Sequence, residues 1–174
     1  MPSAPRTPSC DPLTDVEGST DLRTTRGDEA AHARLQTQGE LVRRQLDEHG
    51  GHVVKAMGDG FMVAFQIARR ALICSMDIQR AFAAYSREHP ECPIRIRVGL
   101  HVGEPVHEGD DFYGKGVVVA SPIAGQARGG EILVSSLLKD LVEAGGDIRF
   151  GEMRQTELKG FAQPYTVFPV DWEF

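Results

Sequence analysis

The chain has 174 residues and carries 25 acidic against 19 basic side chains, a formal net charge of −6. That length suits one domain with a sizeable core, and the acidic balance argues against a nucleic-acid surface, which usually carries a basic face. No apolar run approaches the roughly 18 residues that a membrane helix needs, so no membrane partner is expected.

The first residues, MPSAPRTPSCDP, lack the apolar core of a secretory signal and read as a flexible leader over 1–12, with one domain over 13–174. Cys10, Cys74 and Cys92 are odd in number and widely spaced. They predict free thiols and a cytoplasmic location, with neither a disulfide framework nor a zinc site. DPLTDVEG predicts a short strand ending in a turn at Gly18. Ser19 or Thr20 can then cap a long helix that stops at Gly50-Gly51, with Leu35, Leu41, Val42 and Leu46 on its apolar side. HVVKAM and FMVAF around Gly-Asp-Gly predict a hairpin. A second amphipathic helix is expected over 68–85, with Leu72, Met76 and Phe82 inward. IRIRVGLHVGEPV reads as a strand pair or one bent strand, and GGEILVSS as glycines, a short strand and a helix cap. DIRFGEMRQTELKG and YTVFPVDW look like a second β-ribbon. The order β-α-β-β-α-β followed by a helix and more strands fits an α+β domain, its helices covering one face of a largely antiparallel sheet.

Two short stretches could carry chemistry. TDVEGST places Asp15 at a strand end before a glycine turn and a helix start, where backbone N–H groups favour an anion and an acid can hold a metal. Taken alone, the plainer reading is a cap at Ser19 or Thr20 and a turn residue at Asp15. KAMGDG puts Asp59 at a hairpin tip, and Asp-Gly is also a favoured turn with no chemistry. Together they say more. In a β-α-β-β core the first strand and the hairpin are neighbours, so Asp15 and Asp59 can converge as Mg²⁺-bound nucleotide phosphates require.

In order and spacing, TDVEGST, HGGHVVKAMGDGFMVAF, IRVGLHVGE, DDFYG, GGEILVSS and ELKG make the chain resemble the class III nucleotidyl cyclase catalytic domain in its bacterial adenylate cyclase form. The resemblance runs from about Leu13 to the C-terminus and implies a ferredoxin-like βαββαβ core. It implies Asp15 and Asp59, with Val16 beside them, as the Mg²⁺ or Mn²⁺ site, and the backbone of Val16, Glu17, Gly18, Ser19 and Thr20 as a triphosphate cradle. Lys55 and Asp111 match the base-selecting pair. A lysine donor and a carboxylate acceptor suit the adenine edge, so ATP is favoured over GTP. Arg97 and Lys159 match cationic phosphate contacts, although a surface arginine and a turn lysine would otherwise explain them.

The resemblance also implies a head-to-tail homodimer with two shared sites. In an active member the helix after the DDFYG step carries an asparagine that orients the ribose and, four residues on, an arginine that neutralises the attacked phosphorus centre. Aligned through Asp111 and Gly114, those positions hold Val118 and Pro122. Neither side chain donates a hydrogen bond, and proline lacks a backbone N–H as well. Pro122 predicts a helix that starts late or kinks near Ser121, with Val117, Val118 and Val119 extended or packed in the dimer groove. The expected function is an ATP-binding cyclase homologue with absent or very weak turnover, a nucleotide sensor or regulatory subunit. One alternative is an enzyme that makes cyclic AMP weakly alone or in a heterodimer with an active cyclase chain; another is a nucleotide-independent interaction module. A GxxxxGK[ST] loop, a GxGxxG after a strand, a GG[DE]EF turn and an HExxH pair are all missing from the sequence. His101 reads as structural.

Overall fold

The computed structural model describes the backbone of residues 9–16, 19–58, 60–103, 106–108, 111–113 and 115–173, and the side chains of 29–56, 58, 60–103 and 119–173. The elements run β1 (Ser9–Val16), α1 (Ser19–His49), β2 (His52–Met57), β3 (Gly60–Ala64), α2 (Ala68–Glu88), β4 (Ile96–Gly103) and β5 (Val106–Glu108). Then follow β6 (Asp111–Tyr113), α3 (Lys115–Gln126), β7 (Ile132–Ser135), α4 (Ser136–Val142), β8 (Arg149–Phe150), β9 (Arg154–Thr156) and β10 (Tyr165–Asp171). β1 begins at Ser9, so residues 9–12, expected in the leader, are strand, with Ser9 opposite Gly103 and Pro12 opposite Leu100. Residues 1–8 lie outside the described residues.

The main sheet has the order β2-β3-β1-β4-β7-β10-β8, with β9 also on β10. Its first four strands, with α1 and α2, are the expected ferredoxin-like βαββαβ core. β1 runs antiparallel to both β3 and β4, and only the β4–β7 pair is parallel among the described pairs. A strand joined to the next by a helix must come back parallel, whereas a short turn reverses it. The two helices and one hairpin of the core therefore alternate the strand directions. The C-terminal ribbon is more complex than a hairpin, because β10 pairs with both β8 and β9.

Period-two alternation splits the sheet into two apolar faces. Ile96, Val98, Leu100 and Val102 of β4 face one core with Val42 and Leu46 of α1, Leu72, Ile78 and Phe82 of α2, and Leu138 of α4. The expected apolar side of α1 is thus met by Val42 and Leu46, with Leu41 packed at the margin. α1 ends where expected. Gly50 takes φ 72°, and the Gly51 N–H donates to the Leu46 carbonyl at 3.0 Å, a left-handed glycine stop.

The expectation of helices on one face holds for α1, α2 and α4; α3 lies on the other face. There Val119, Ile123 and Ala127 cluster with Leu133, Leu158 and Val167, and Ala120 and Ala124 pack with Met62. The helix comes unusually close to β4. A Cβ placed on Gly99 would stand 2.3 Å from the Ala124 nitrogen and 2.6 Å from the Ala120 oxygen. Only glycine permits that contact.

The late start expected for α3 does not occur. The helix begins at Lys115, includes Val117 to Val119, and carries Pro122 inside it. Local propensity favours a break, at about 3 kcal/mol for an interior proline. Val119 and Ile123 are both buried, and burying such a side chain contributes about 1.5–3 kcal/mol. Packing against the sheet outweighs the local cost.

Candidate functional site

The hairpin that carries Lys55 is built around a two-residue loop. Met57 pairs with Gly60, and Gly58 takes φ 59°, the left-handed conformation that such a turn demands. Asp59, the other loop residue, lies outside the described residues, as do Glu17 and Gly18. Asp15, Val16, Ser19, Thr20, Asp111 and Val118 are described by backbone alone.

Backbone register still says where these positions stand. Thr14 of β1 is opposite Phe61 of β3, one residue from Asp15 and from Gly60 respectively. The end of β1 and the β2–β3 turn therefore share one end of the sheet, as the pairing of Asp15 with Asp59 needs. On its other side Asp15 is opposite Arg97 of β4. Arg97 is half-buried and falls in the β4 row that includes Gly99, on the α3 face. α1 begins at Ser19, so the stretch 16–20 does join a strand end to a helix N-terminus. Ser19 and Thr20, the two expected caps, are both already helical, a difference of one or two residues at the helix start.

One feature escaped sequence reasoning. β2 carries a bulge: Val53 pairs with Val63, but the next pair is Lys55 with Met62, leaving Val54 extra. Val53 and Val63 belong to the α1–α2 core, whereas Met62 packs beneath α3. The extra residue moves Lys55, which is exposed, into the row of the α3 face. The only sequence signal is the doubled valine of HVVK, which breaks strict alternation.

Asp111 opens β6, opposite Glu108 in the small β5–β6 ribbon that leads into α3. Within IRIRVGLHVGEPV, β4 covers 96–103 and β5 begins at Val106, and β5 pairs with β6 in its own ribbon, whereas β4 pairs with β1 and β7. Because α3 is helical from Lys115 onward, positions 118 and 122 stand one turn apart. Pro122 is half-buried, and Gln126, one turn further on, is exposed in the last turn.

Lys159 lies on the loop between β9 and β10, exposed, and lines an open recess of about 470 Å³ with Glu157, Phe161 and Gln163. Leu158 beside it is buried at 2% exposure. The Phe161 ring meets Tyr165 edge-on at 5.8 Å, and Tyr165 meets His101 edge-on at 6.1 Å.

His101 is 7% exposed, and its Nδ1 lies 2.9 Å from the Ser135 hydroxyl, which also caps α4 by accepting the Leu138 N–H at 3.3 Å. Burial pushes the imidazole down to about 4, so the ring stays neutral. It supports the sheet, as expected. Cys74 and Cys92 are free thiols. Burial, with the charges of Asp77 and Glu48, pushes the Cys74 thiol up to about 12, which leaves it unreactive. Among the described residues no group of three or more His, Cys, Asp or Glu side chains could hold a metal, and no helix is long and apolar enough to cross a membrane.

The chain is similar to known proteins along nearly its whole length. It is 35% identical over 148 residues to an adenylate cyclase of Podospora anserina, covering 71% of this chain and 7% of that protein. The chain spans a quarter or less of the length of several such adenylate cyclase relatives. In fold it matches an adenylate cyclase structure from Trypanosoma brucei with TM-score 0.84 at 22% identity, covering 98% of this chain and 92% of that one. The adenylyl cyclase CyaB from P. aeruginosa matches with TM-score 0.83 at 22% identity, covering 94% and 93%. Residues 12–170 match the family model of the adenylate and guanylate cyclase catalytic domain, and the chain belongs to that family.

Proposed function

We propose that this chain is an adenylate cyclase-like protein that binds ATP with Mg²⁺ or Mn²⁺ at a head-to-tail dimer interface in the cytoplasm. Its own cyclase turnover is absent or very weak, and it serves nucleotide sensing or regulation in signalling. The observation that carries this reading is the unbroken helix α3. It keeps positions 118 and 122 one turn apart, where an asparagine and an arginine would act, and places valine and proline there. Removing one preorganised donor from a transition state typically costs about 10²–10³ in rate. Losing two is not additive, but the deficit is at least of that order.

The groups for ground-state binding remain in the sequence. Asp15 and Asp59 would hold the divalent ion, and the shared sheet end of β1 and the β2–β3 turn supports their approach. A bound divalent ion supplies charge neutralisation for the phosphates. The backbone at 16–20 offers N–H groups to an anion, with Arg97 and Lys159 as cations. Lys55 donates to, and Asp111 accepts from, the adenine edge.

Incubating the purified chain with ATP and Mn²⁺ and quantifying cyclic AMP, beside a Val118→Asn/Pro122→Arg double variant, tests the reading. A silent parent and a productive variant are expected. A parent that turns over at a respectable rate refutes the argument from the missing pair, and an equilibrium titration without metal-dependent ATP binding refutes the nucleotide site.

A second reading rests on the same retained residues: in a heterodimer, a partner chain with its own asparagine and arginine would complete one site around this chain's Asp15 and Asp59. Failure of this chain to form mixed dimers with a competent cyclase chain would exclude it.

A further inference from the structure

Lys159 sits in a turn. The Phe161 N–H donates to the Leu158 carbonyl at 3.0 Å, closing a four-residue turn over 158–161. Its third residue, Gly160, takes φ 91°, as a type II turn requires. Lys159 therefore occupies the second position, at the corner, where a side chain points away from the turn's ends. Both ends are tied down. Leu158 is buried with Val119, Ile123 and Ala127 of α3, Leu133 of β7 and Val167 of β10. Phe161 packs against the same cluster and stacks edge-on with Tyr165. A long lysine on a free loop loses much rotamer and backbone freedom when it engages a ligand; a pinned turn removes the backbone share in advance.

We infer that Leu158 and Gly160 are positioning residues for Lys159, and that the apolar stripe of α3 is their platform. On this account α3 keeps a task after losing its polar pair: it holds the lysine over the recess beside residues 157–164, where a polyphosphate is the ligand that an ammonium at a fixed point would favour. The inference rests on the proposed nucleotide reading.

The test is the ratio of affinities for ATP and AMP, each with Mg²⁺, measured by equilibrium titration. Lys159→Ala is expected to lower ATP affinity about tenfold, the scale of one charge-assisted hydrogen bond, and to leave AMP nearly unchanged. Leu158→Ala opens the anchoring cluster. Gly160→Ala strains only the backbone, since nothing lies within 4 Å of the added Cβ. Each should reduce the ATP-to-AMP preference at least threefold, as an order-of-magnitude share of that bond. Leu138→Ala, in the buried core on the opposite face, should lower the unfolding temperature yet leave the preference alone.

An unchanged preference in both Leu158→Ala and Gly160→Ala, with Lys159→Ala still sensitive, overturns this inference and spares the nucleotide reading. Should Leu158→Ala fail to fold, Gly160→Ala decides alone. A parent that binds no ATP overturns both.

Discussion

Acidification removes stability through His101, and replacing that residue should remove the effect. The ring is 7% exposed and its pKa is pushed from 6.5 to about 4 by burial. Between those two values the unfolded chain binds a proton that the folded chain refuses. Folding stability is therefore fully present above about pH 6.5, falls as the pH drops toward 4, and levels off below that. Between those values stability falls by ~1.4 kcal/mol per pH unit, and because the slope flattens at both ends the loss from pH 7 down to about pH 4 is about 3 kcal/mol. Other titrating groups contribute in the same range of pH, so the quantity to measure is a difference. Denaturant unfolding of the parent and of His101→Gln, carried out from pH 7 down to about pH 4, isolates it. Glutamine keeps a polar group near Ser135 and does not titrate. The parent should lose about 3 kcal/mol more than the variant over this interval. Parallel stability curves for the two proteins would refute the reasoning, because they would mean that His101 protonates in place at no cost.

Two further outcomes follow from the α3 contact. Gly99→Ala should destabilise the fold by about 3 kcal/mol, the upper part of the usual range for overpacking, because the atoms nearest the new Cβ are backbone atoms of Ala120 and Ala124, which cannot rotate away; denaturant unfolding within ~0.5 kcal/mol of the parent would show that the helix can lift from the strand cheaply. Pro122→Ala should raise stability by about 1–2 kcal/mol, since it restores a donor for the Val118 carbonyl inside an existing helix and offsets only part of that gain through a looser unfolded chain; an unchanged or lower unfolding temperature would mean that the proline ring itself is needed in the packing.

Much of the fold was legible because the signals were local. The hairpin over 52–64 follows from two β-rich runs around a glycine turn, and Gly58 has the left-handed φ such a turn needs. The second helix follows from Leu72, Met76 and Phe82 at helical spacing, all buried. The anchors of the site were legible as residue types in order. What they do in three dimensions was less so. Asp15 stands opposite Arg97 in the register of a strand pair that joins residues 82 positions apart in the chain, and Lys55 reaches the α3 face through a bulge that only doubled valines betray. The start of the helix over 115–126 misled, because proline and three valines weigh against a helix locally.

The sequence by itself determined the family, the α+β class, most element positions and the absence of a polar side chain at 118 and 122. Each of these depends on residue identity, periodicity or spacing along the chain. The tertiary structure decided that α3 is continuous, that it lies on the face opposite α1 and α2, and that the 158–161 turn rests on it. Those outcomes turn on burial summed over residues distant in sequence. Ile123 and Val119 need Leu133, Leu158 and Val167, and the approach of Ala120 and Ala124 needs the missing side chain of Gly99. Such packing outweighs a local penalty of about 3 kcal/mol, and no window of the sequence contains both sides of that balance.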